Sequence, residues 1–345
     1  MAEQSDISQR KLDHIRICLE DASQFDRVST GLDDFQFLNC ALPELSPSDV
    51  NLETPFLEKK LSAPLLVSSM TGGPKDGAKI NQHLAAGTQK IGLGMGVGSQ
   101  RIAIEDPQAA DSFRVRNIAP DIPLIANLGA VQLNYGYSIS EARKAVEMIG
   151  ADALFLHLNA LQELVQPNGD TSFGGLMTKI EVLVKEAEFP VLVKECGCGI
   201  SGKLAKQLFE LGVYAIDVSG AGGTSWSRVE SERAEETTLK RLGRTFANWG
   251  IPTAHAIMDV RQHNPEGVII ASGGIRNGLD AAKAIALGAD LVSIAKPILS
   301  SALESAEAVS SELSQFIEEL KAACFLTASK SASQLRDPEK LLRIK

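Results

Sequence analysis

Eight short apolar runs, each followed by a stretch of helical periodicity, constrain this chain more than any other feature. The runs are APLLVSSM (63–70), GLGMGVGS (92–99), IPLIANLG (122–129), ADALFLHLN (151–159), FPVLVKEC (189–196), VYAIDVSG (213–220), GVIIASGG (267–274) and ADLVSIAKP (289–297). Between them lie segments such as EARKAVEMIG (141–150) and DAAKAIALGA (280–289), whose apolar residues recur at three and four. Continuous apolar strands alternating with helices mean a parallel sheet covered on both faces. Eight such units predict an α/β protein of the (β/α)8 TIM barrel type. A doubly wound open sheet is the alternative, disfavoured because no G-x-G-x-x-G turn follows the first strand. The barrel is expected over residues 63–300. Residues 1–62, irregular and rich in Pro and Asp, read as an N-terminal extension packed on it, and 301–345 as a closing C-terminal helix and tail. The run GIPTAHAIMDVRQ is placed as the helix before strand seven.

The net charge of −9 argues against nucleic acid or an anionic membrane as partner, so an anionic ligand needs a local basic pocket. The five cysteines are odd in number and match neither a zinc site nor a disulfide framework, which points to a reducing, cytoplasmic setting. Cys196 and Cys198 read as two buried thiols at a strand end. The start MAEQSDISQRKLDH has no apolar signal core, and no run approaches membrane-spanning length. Its basic cluster, Arg10, Lys11, His14 and Arg16, reads most simply as a solvated helix start.

If the barrel forms, every strand's C-terminal end faces one mouth, where this fold places its active sites. That geometry gathers Ser69-Met70-Thr71, Ser99-Gln100-Arg101, Asn127, His157, Asn159, Gln162, Glu163, Lys194-Glu195, Ser219 to Trp226, and Gly273 to Arg276. Strand four is the most telling, because FLHLNALQELVQPNGD (155–170) passes from apolar strand to His157, Asn159, Gln162 and Glu163, then to a Pro-Asn-Gly-Asp turn. Core strands rarely carry such groups unless their ends face a site.

The chemistry follows from residue type and position. Gly273 and Gly274 after strand seven let backbone N–H groups approach phosphate oxygens, with Arg276 or Lys296 supplying charge. Lys194, on the strand face opposite Val191 and Val193, needs an anion beside it. A reduced flavin ring, or a salt bridge to Glu195 or Glu163, would supply one; otherwise the lysine loses its charge and its neutral amine could form a Schiff base. Glu163 is the best single magnesium candidate, with phosphates and water completing the shell. Arg101, with Arg10 and Lys11, could neutralise a diphosphate. The long connection VESERAEETTLKRLGRTFANWG reads as a lid or as a solvated outer helix, and Glu230, Glu232, Arg233, Glu235 and Glu236 fit the second reading.

The chain resembles one family, the flavin-dependent type 2 isopentenyl diphosphate isomerases. The matching pieces include RKLDH (10–14), GLDDFQF (31–37), SSMTGG (68–73), VGSQR (97–101), ANLGA (126–130), HLNALQELVQPNGD (157–170), VKECGCGIS (193–201), GAGGTSW (220–226), GIPTA (250–254), ASGGIRNGLDAAKAIALGAD (271–290) and AKP (295–297). The resemblance implies an FMN-binding barrel that interconverts isopentenyl and dimethylallyl diphosphate, with magnesium and with flavin kept reduced by NADPH or NADH. It implies that Ser69, Met70, Thr71, Ser99, Asn127, Lys194, Ser219, Thr224, Gly273, Gly274, Arg276, Ala295 and Lys296 hold FMN. It assigns Arg10, Lys11, Arg101, His157, Asn159, Gln162 and Trp226 to the substrate, and Glu163 to magnesium. Lys194, Gln162, His157 and Asn159 would serve the proton transfer, with reduced FMN as the acid–base group. It further implies a homotetramer or homo-octamer. Ala328 stands where the resemblance calls for glycine, and Lys296 implies a stronger or shared phosphate grip.

Two other readings compete. A flavin oxidoreductase of the inosinate type needs a cysteine in GAGGTSW, which has none; the hydroxy-acid oxidase type needs a catalytic His beside an Arg late in the chain, a setting that His255 and His263 lack. A flavin- or diphosphate-binding sensor would bind flavin without turnover.

Overall fold

The computed structural model describes residues 11, 13–73 and 75–345, so Arg10 lies outside the described residues. Along the chain come α1 (13–19), β1 (Phe35–Phe37), a hairpin of β2 (Thr54–Phe56) and β3 (Lys59–Leu61), then β4 (Leu65–Val67) and α2 (Lys75–Ile91). Next are β5 (Gly94–Gly96), α3 (Arg101–Glu105), β6 (Leu124–Gly129), α4 (Ile139–Ile149), β7 (Ala153–Leu158), α5 (Ala160–Val165) and α6 (Leu176–Glu186). The second half holds β8 (Val191–Glu195), α7 (Gly202–Glu210), β9 (Ala215–Asp217), α8 (Trp226–Arg233), α9 (Thr237–Thr245), α10 (Thr253–His263), β10 (Val268–Ala271) and α11 (Gly278–Ala286). It ends with β11 (Leu291–Ile294), α12 (Lys296–Glu304), α13 (Ala306–Leu326) and β12 (Leu341–Arg343).

Strands β4 to β11 form a closed parallel barrel in sequence order, with β11 returning to β4. Each of the eight apolar runs supplies one of these strands, and GIPTAHAIMDVRQ supplies α10 immediately before β10. Helices α4, α7, α8, α11 and α13 start at side-chain caps, Ser138, Ser201, Ser225, Asn277 and Ser305. In α4, Ser138 and Glu141 form a reciprocal capping box, and Gly150 ends the helix in the left-handed region at φ 61°. The helix after β5 is only the short α3, because Asp106 and Pro107 end it and start a 3-10 segment.

Alternation along the strands builds two cores. Val67, Leu124, Leu154, Leu156, Val191, Val193, Ile269 and Val292 face the helices. Leu66, Ile125, Phe155, Leu192, Ala215, Ile270 and Leu291 fill the barrel interior. The β2–β3 hairpin joins this inner core through Phe56, Leu57 and Leu61. Because side chains repeat every two residues, the next inward position on each of these strands is Ser68, Asn127, His157, Lys194, Asp217, Ser272 or Ser293. An apolar layer thus carries a polar one.

A clamp is repeated half a barrel apart. Arg116 donates to Gly150 O (2.9 Å) and Asp152 (2.7 Å), and Asp152 accepts from Leu124 N (2.8 Å). Arg261 donates to Gly288 O (2.9 Å) and Asp290 (2.7 Å), and Asp290 accepts from Ile269 N (2.8 Å). Each ties a strand to the one before it. The segment after α13 is more than a tail, since β12 pairs antiparallel with β1. A pairing across that sequence distance leaves no local periodic signal.

Candidate functional site

The polar layer opens into a cavity of about 290 Å³ at the C-terminal mouth of the barrel. Lys11, Ser69, Met70, Thr71, Ser99, Arg101, Asn127, His157, Asn159, Gln162, Glu163 and Lys194 all line it. So do Ser219, Thr224, Trp226, Gly273, Gly274, Arg276, Ala295 and Lys296. Residues separated by nearly the whole chain meet here because parallel strands bring their C-terminal ends to one rim.

On the floor, Lys194 donates to Glu195 O (2.5 Å) and stands in register with Asp217 on β9. Neither of the salt bridges considered from sequence, to Glu195 or Glu163, forms among the described residues; the flanking carboxylate is Asp217. Burial opposes the charge on Lys194, but Cys196, Asp217 and Glu195 outweigh it and raise its pKa. Burial also pushes Cys196 up to about 12, so at neutral pH its thiol is uncharged and the support comes from the carboxyl groups, whose own pKa values burial raises, that of Glu195 to about 7. Asp217 Oδ1 accepts from Ser272 Oγ and from Ser219 N (3.2 Å). Glu195 accepts the N–H groups of Cys196 and Gly197 (both 2.6 Å), Cys198 and Gly199 (3.2 Å), which fixes the turn after β8. Cys196 and Cys198 are half-buried in that turn rather than buried in the core, because the strand ends at Glu195.

Beside Lys194, His157 Nδ1 lies 2.8 Å from Asn127 Oδ1. Asn127 Nδ2 donates to Val97 O (3.1 Å), so its oxygen faces the ring and His157 carries its proton on Nδ1. Burial, and then Lys194, lower the His157 pKa to about 3, so the ring is neutral at working pH.

On the rim, Gly273 and Gly274 have φ of 97° and 75°, and a Cβ on Gly274 would lie 2.7 Å from Gly222 backbone. Only glycine fits this turn. Arg276 donates to Gln24, and Lys296 to Glu20 O (3.1 Å), so both cations also meet the N-terminal segment. Lys11 donates to Gly72 O (2.5 Å) and to Ser99 O (3.4 Å). Glu163 accepts from Asn159 (2.8 Å), Gln166 (2.5 Å) and Asp170 N (2.8 Å).

The connection after β9 contributes a wall. Trp226 opens α8 and meets His14 edge-on at 5.0 Å between ring centroids. Glu230 is wholly buried and not one of a solvated set of charges. It accepts from Gln162 (3.1 Å) and Arg233 (2.6 Å), and His14 lies 2.9 Å away. Burial works against its charge, but His14, Arg233 and Gln162 together hold its pKa down at about 2. His14, read from sequence as part of a solvated start, instead lines the cavity.

Sequence reasoning therefore gave no site role to Asp217, Glu230, Gln132 or Asp170 and read His14 as part of a solvated start. Asp217 carried a signal as a charged residue inside an otherwise apolar run, and Asp170 as the end of the Pro-Asn-Gly-Asp turn after strand four.

The donor set fits FMN. Ser69 Oγ and Thr71 Oγ1 line the cavity, are buried and make no hydrogen bond among the described residues. A cation lies at the floor and a glycine turn with Arg276 and Lys296 at one edge, matching a polar ring and a phosphate. For magnesium, no group of three or more His, Cys, Asp or Glu side chains gathers among the described residues. A single carboxylate, Glu163, fits an ion that keeps its waters and binds substrate phosphates.

The FMN-dependent dehydrogenase family model matches residues 141–342. An isopentenyl-diphosphate delta-isomerase of Nostoc sp. is 51% identical over 335 residues, covering 97% of this chain and 96% of that protein. Proteins of the same name from Pseudescherichia vulneris (50%, 96% of each chain) and Oceanobacillus iheyensis (45%, 97% and 96%) are similar along almost their whole length. Among solved structures, a lactate oxidase of Pediococcus acidilactici superposes with a TM-score of 0.68 at 18% identity, covering 99% of this chain and 94% of that one. A mandelate oxidase gives 0.66 at 16%, covering 98% and 97%. These two likenesses establish the fold alone.

Proposed function

The chain belongs to the isopentenyl-diphosphate delta-isomerase family and carries an FMN-dependent dehydrogenase domain, and on that premise we propose how its cavity isomerises isopentenyl diphosphate to dimethylallyl diphosphate. The reaction adds a proton to the terminal alkene carbon and removes one from the carbon two positions away, so atoms balance with no net redox change. The observation that carries the reading is the shared cavity, in which Lys194, Gln162 and the Gly273–Gly274 turn all face one space.

Gly273, Gly274, Arg276, Ala295 and Lys296 hold the FMN phosphate. Ser69, Met70, Thr71, Ser99, Asn127, Lys194, Ser219 and Thr224 hold the rest of the cofactor. When bound and reduced, FMN supplies the acid–base group for proton transfer. Lys194, kept cationic by Asp217, stabilises negative charge above the floor. His157, neutral and fixed by Asn127, orients polar groups without adding a second cation. Arg10, Lys11 and Arg101 grip the diphosphate, and Glu163 binds magnesium beside it. Gln162, anchored on Glu230 and near Asn159 (3.3 Å), is positioned to relay a proton. Trp226 closes the apolar end and keeps water from a carbocation-like centre.

NADPH or NADH keeps the flavin reduced, and the enzyme acts as a homotetramer or homo-octamer in the cytoplasm. No helix among the described residues is long and apolar enough to cross a membrane. The oxidase alternative is weakened by His255 and His263, which are exposed on α10, outside the cavity lining.

The test is incubation of the pure yellow protein with FMN, NADPH, magnesium and isopentenyl diphosphate. Dimethylallyl diphosphate forms only when the flavin is reduced. No product with reduced flavin bound overturns the reading.

A further inference from the structure

The Pro167-Asn168-Gly169-Asp170 turn reaches back across the rim and touches the strand-end loops after β5 and β6 and the α5 helix of its own connection. Asp170 Oδ2 accepts from Arg101 Nη1, at the start of α3, and from Gln132 Nε2 (2.9 Å), in the 3-10 turn after β6. Its own N–H donates to Glu163 Oε2 (2.8 Å) on α5. One residue thus holds a cationic side chain with its carboxylate and an acidic one with its backbone.

The turn is built for this approach. A Cβ on Gly169 would lie 1.9 Å from Glu163 O, so only glycine lets the chain come this close. Asn168 precedes it in the left-handed region at φ 55°, a conformation asparagine tolerates. Gln132 is 4% exposed and the Asp170 side chain 15%, so these bonds are largely shielded from competing water. Glu105 holds Arg101 from the other side at 2.9 Å. The guanidinium is therefore set between two carboxylates.

We propose that Asp170 is a positioning residue that couples the arginine side of the diphosphate site to the carboxylate side of the metal site, so that the two ligands bind cooperatively. The proposal rests on the reading that Arg101 and Glu163 serve the diphosphate and the cation. If Asp170 moves, Arg101 loses its bearing and Glu163 loses a donor that orients its carboxylate. A ligand that fixes one end orders the other, and the coupling is reciprocal by linkage. Gln132 holds the Asp170 carboxylate from below.

The experiment is calorimetric titration of the FMN-loaded enzyme with inorganic pyrophosphate, with and without magnesium. Wild type, Asp170→Asn and Asp170→Ala are compared, with flavin content and melting temperature followed in each. Wild type binds pyrophosphate about tenfold or more tightly with magnesium present, within the usual range of such coupling. Asp170→Ala loses most of that enhancement while flavin content and spectrum hold. Asp170→Asn is intermediate, because its amide oxygen still accepts one bond. In turnover, KM for isopentenyl diphosphate rises more than kcat falls. If Asp170→Ala does not hold FMN, Asp170→Asn and Gln132→Ala decide the matter by the same loss of enhancement. An enhancement equal to wild type in these variants overturns the coupling and leaves the site intact. A wild type that binds no magnesium pyrophosphate removes the diphosphate site, and the coupling with it.

Discussion

Lys194 on β8, which lines the cavity, and Asp217 on β9 are register partners, 6% and 0% exposed, so the ammonium sits beside a carboxyl group whose own pKa burial raises and Lys194 lowers. A buried lysine without a partner loses its proton, and Asp217, with Glu195, is what keeps this one charged. In Asp217→Asn, burial acts against the Lys194 charge with less opposition, and its pKa falls. FMN affinity then declines from a lower pH than in wild type, and at pH 9 it is about tenfold weaker, the worth of one charge-assisted hydrogen bond. Fluorescence titration of FMN across pH 7–10 measures this. An unchanged profile removes Asp217 as the counter-charge.

Glu230 ties acid stability to the wall of the site. Its carboxyl is held at about 2 rather than 4.5. A depressed folded pKa contributes stability above the unfolded value, and that contribution is lost as pH falls through the folded one. The gap amounts to about 3 kcal/mol. Urea unfolding of wild type should lose about that much between pH 4.5 and 2 relative to Glu230→Gln, which lacks the titration. Parallel curves for the two proteins would contradict the assignment.

His157 should not titrate in the range where histidines ordinarily do. With its pKa near 3 and Nδ1–H donated to Asn127, the ring stays neutral in one tautomer from pH 8 to 5. Nitrogen-15 chemical shifts of the labelled ring report both properties. A midpoint close to 6.5 would show that the ring is hydrated.

Glu163 is the only carboxylate proposed for magnesium, so its loss is not covered by a neighbour. Glu163→Gln keeps the shape and removes the charge. The magnesium concentration for half-maximal turnover should rise about tenfold or more. The same concentration as wild type would take Glu163 out of the metal site.

Ala328 follows α13 at φ 51°, the left-handed region that costs an alanine about 1–2 kcal/mol. The resemblance asks for glycine here, and the backbone has kept the shape glycine would suit. Ala328→Gly should stabilise the protein by about 0.5 kcal/mol once glycine's own entropy cost is subtracted. Thermal or urea unfolding checks the sign.

The sequence by itself determined the barrel and the membership of the site. Eight apolar runs with helical spacers leave few other ways to bury both faces of a parallel sheet, and closure brings polar strand ends such as His157, Lys194 and Gly274 to one rim. Local pattern carries that information because strand and helix periods are local. The partners of those residues were decided only by tertiary structure. Asp217 beside Lys194, Glu230 beneath Gln162, and Asp170 between Arg101 and Glu163 are pairings across loops or strands, with no fixed spacing in the chain. The same holds for β12 on β1. Glu230 looked solvated because its neighbours in sequence are charged, yet the approach of α1 and α5 buries it. Burial and register arise from distant segments meeting, so a charge's role depends on neighbours that only the folded chain supplies.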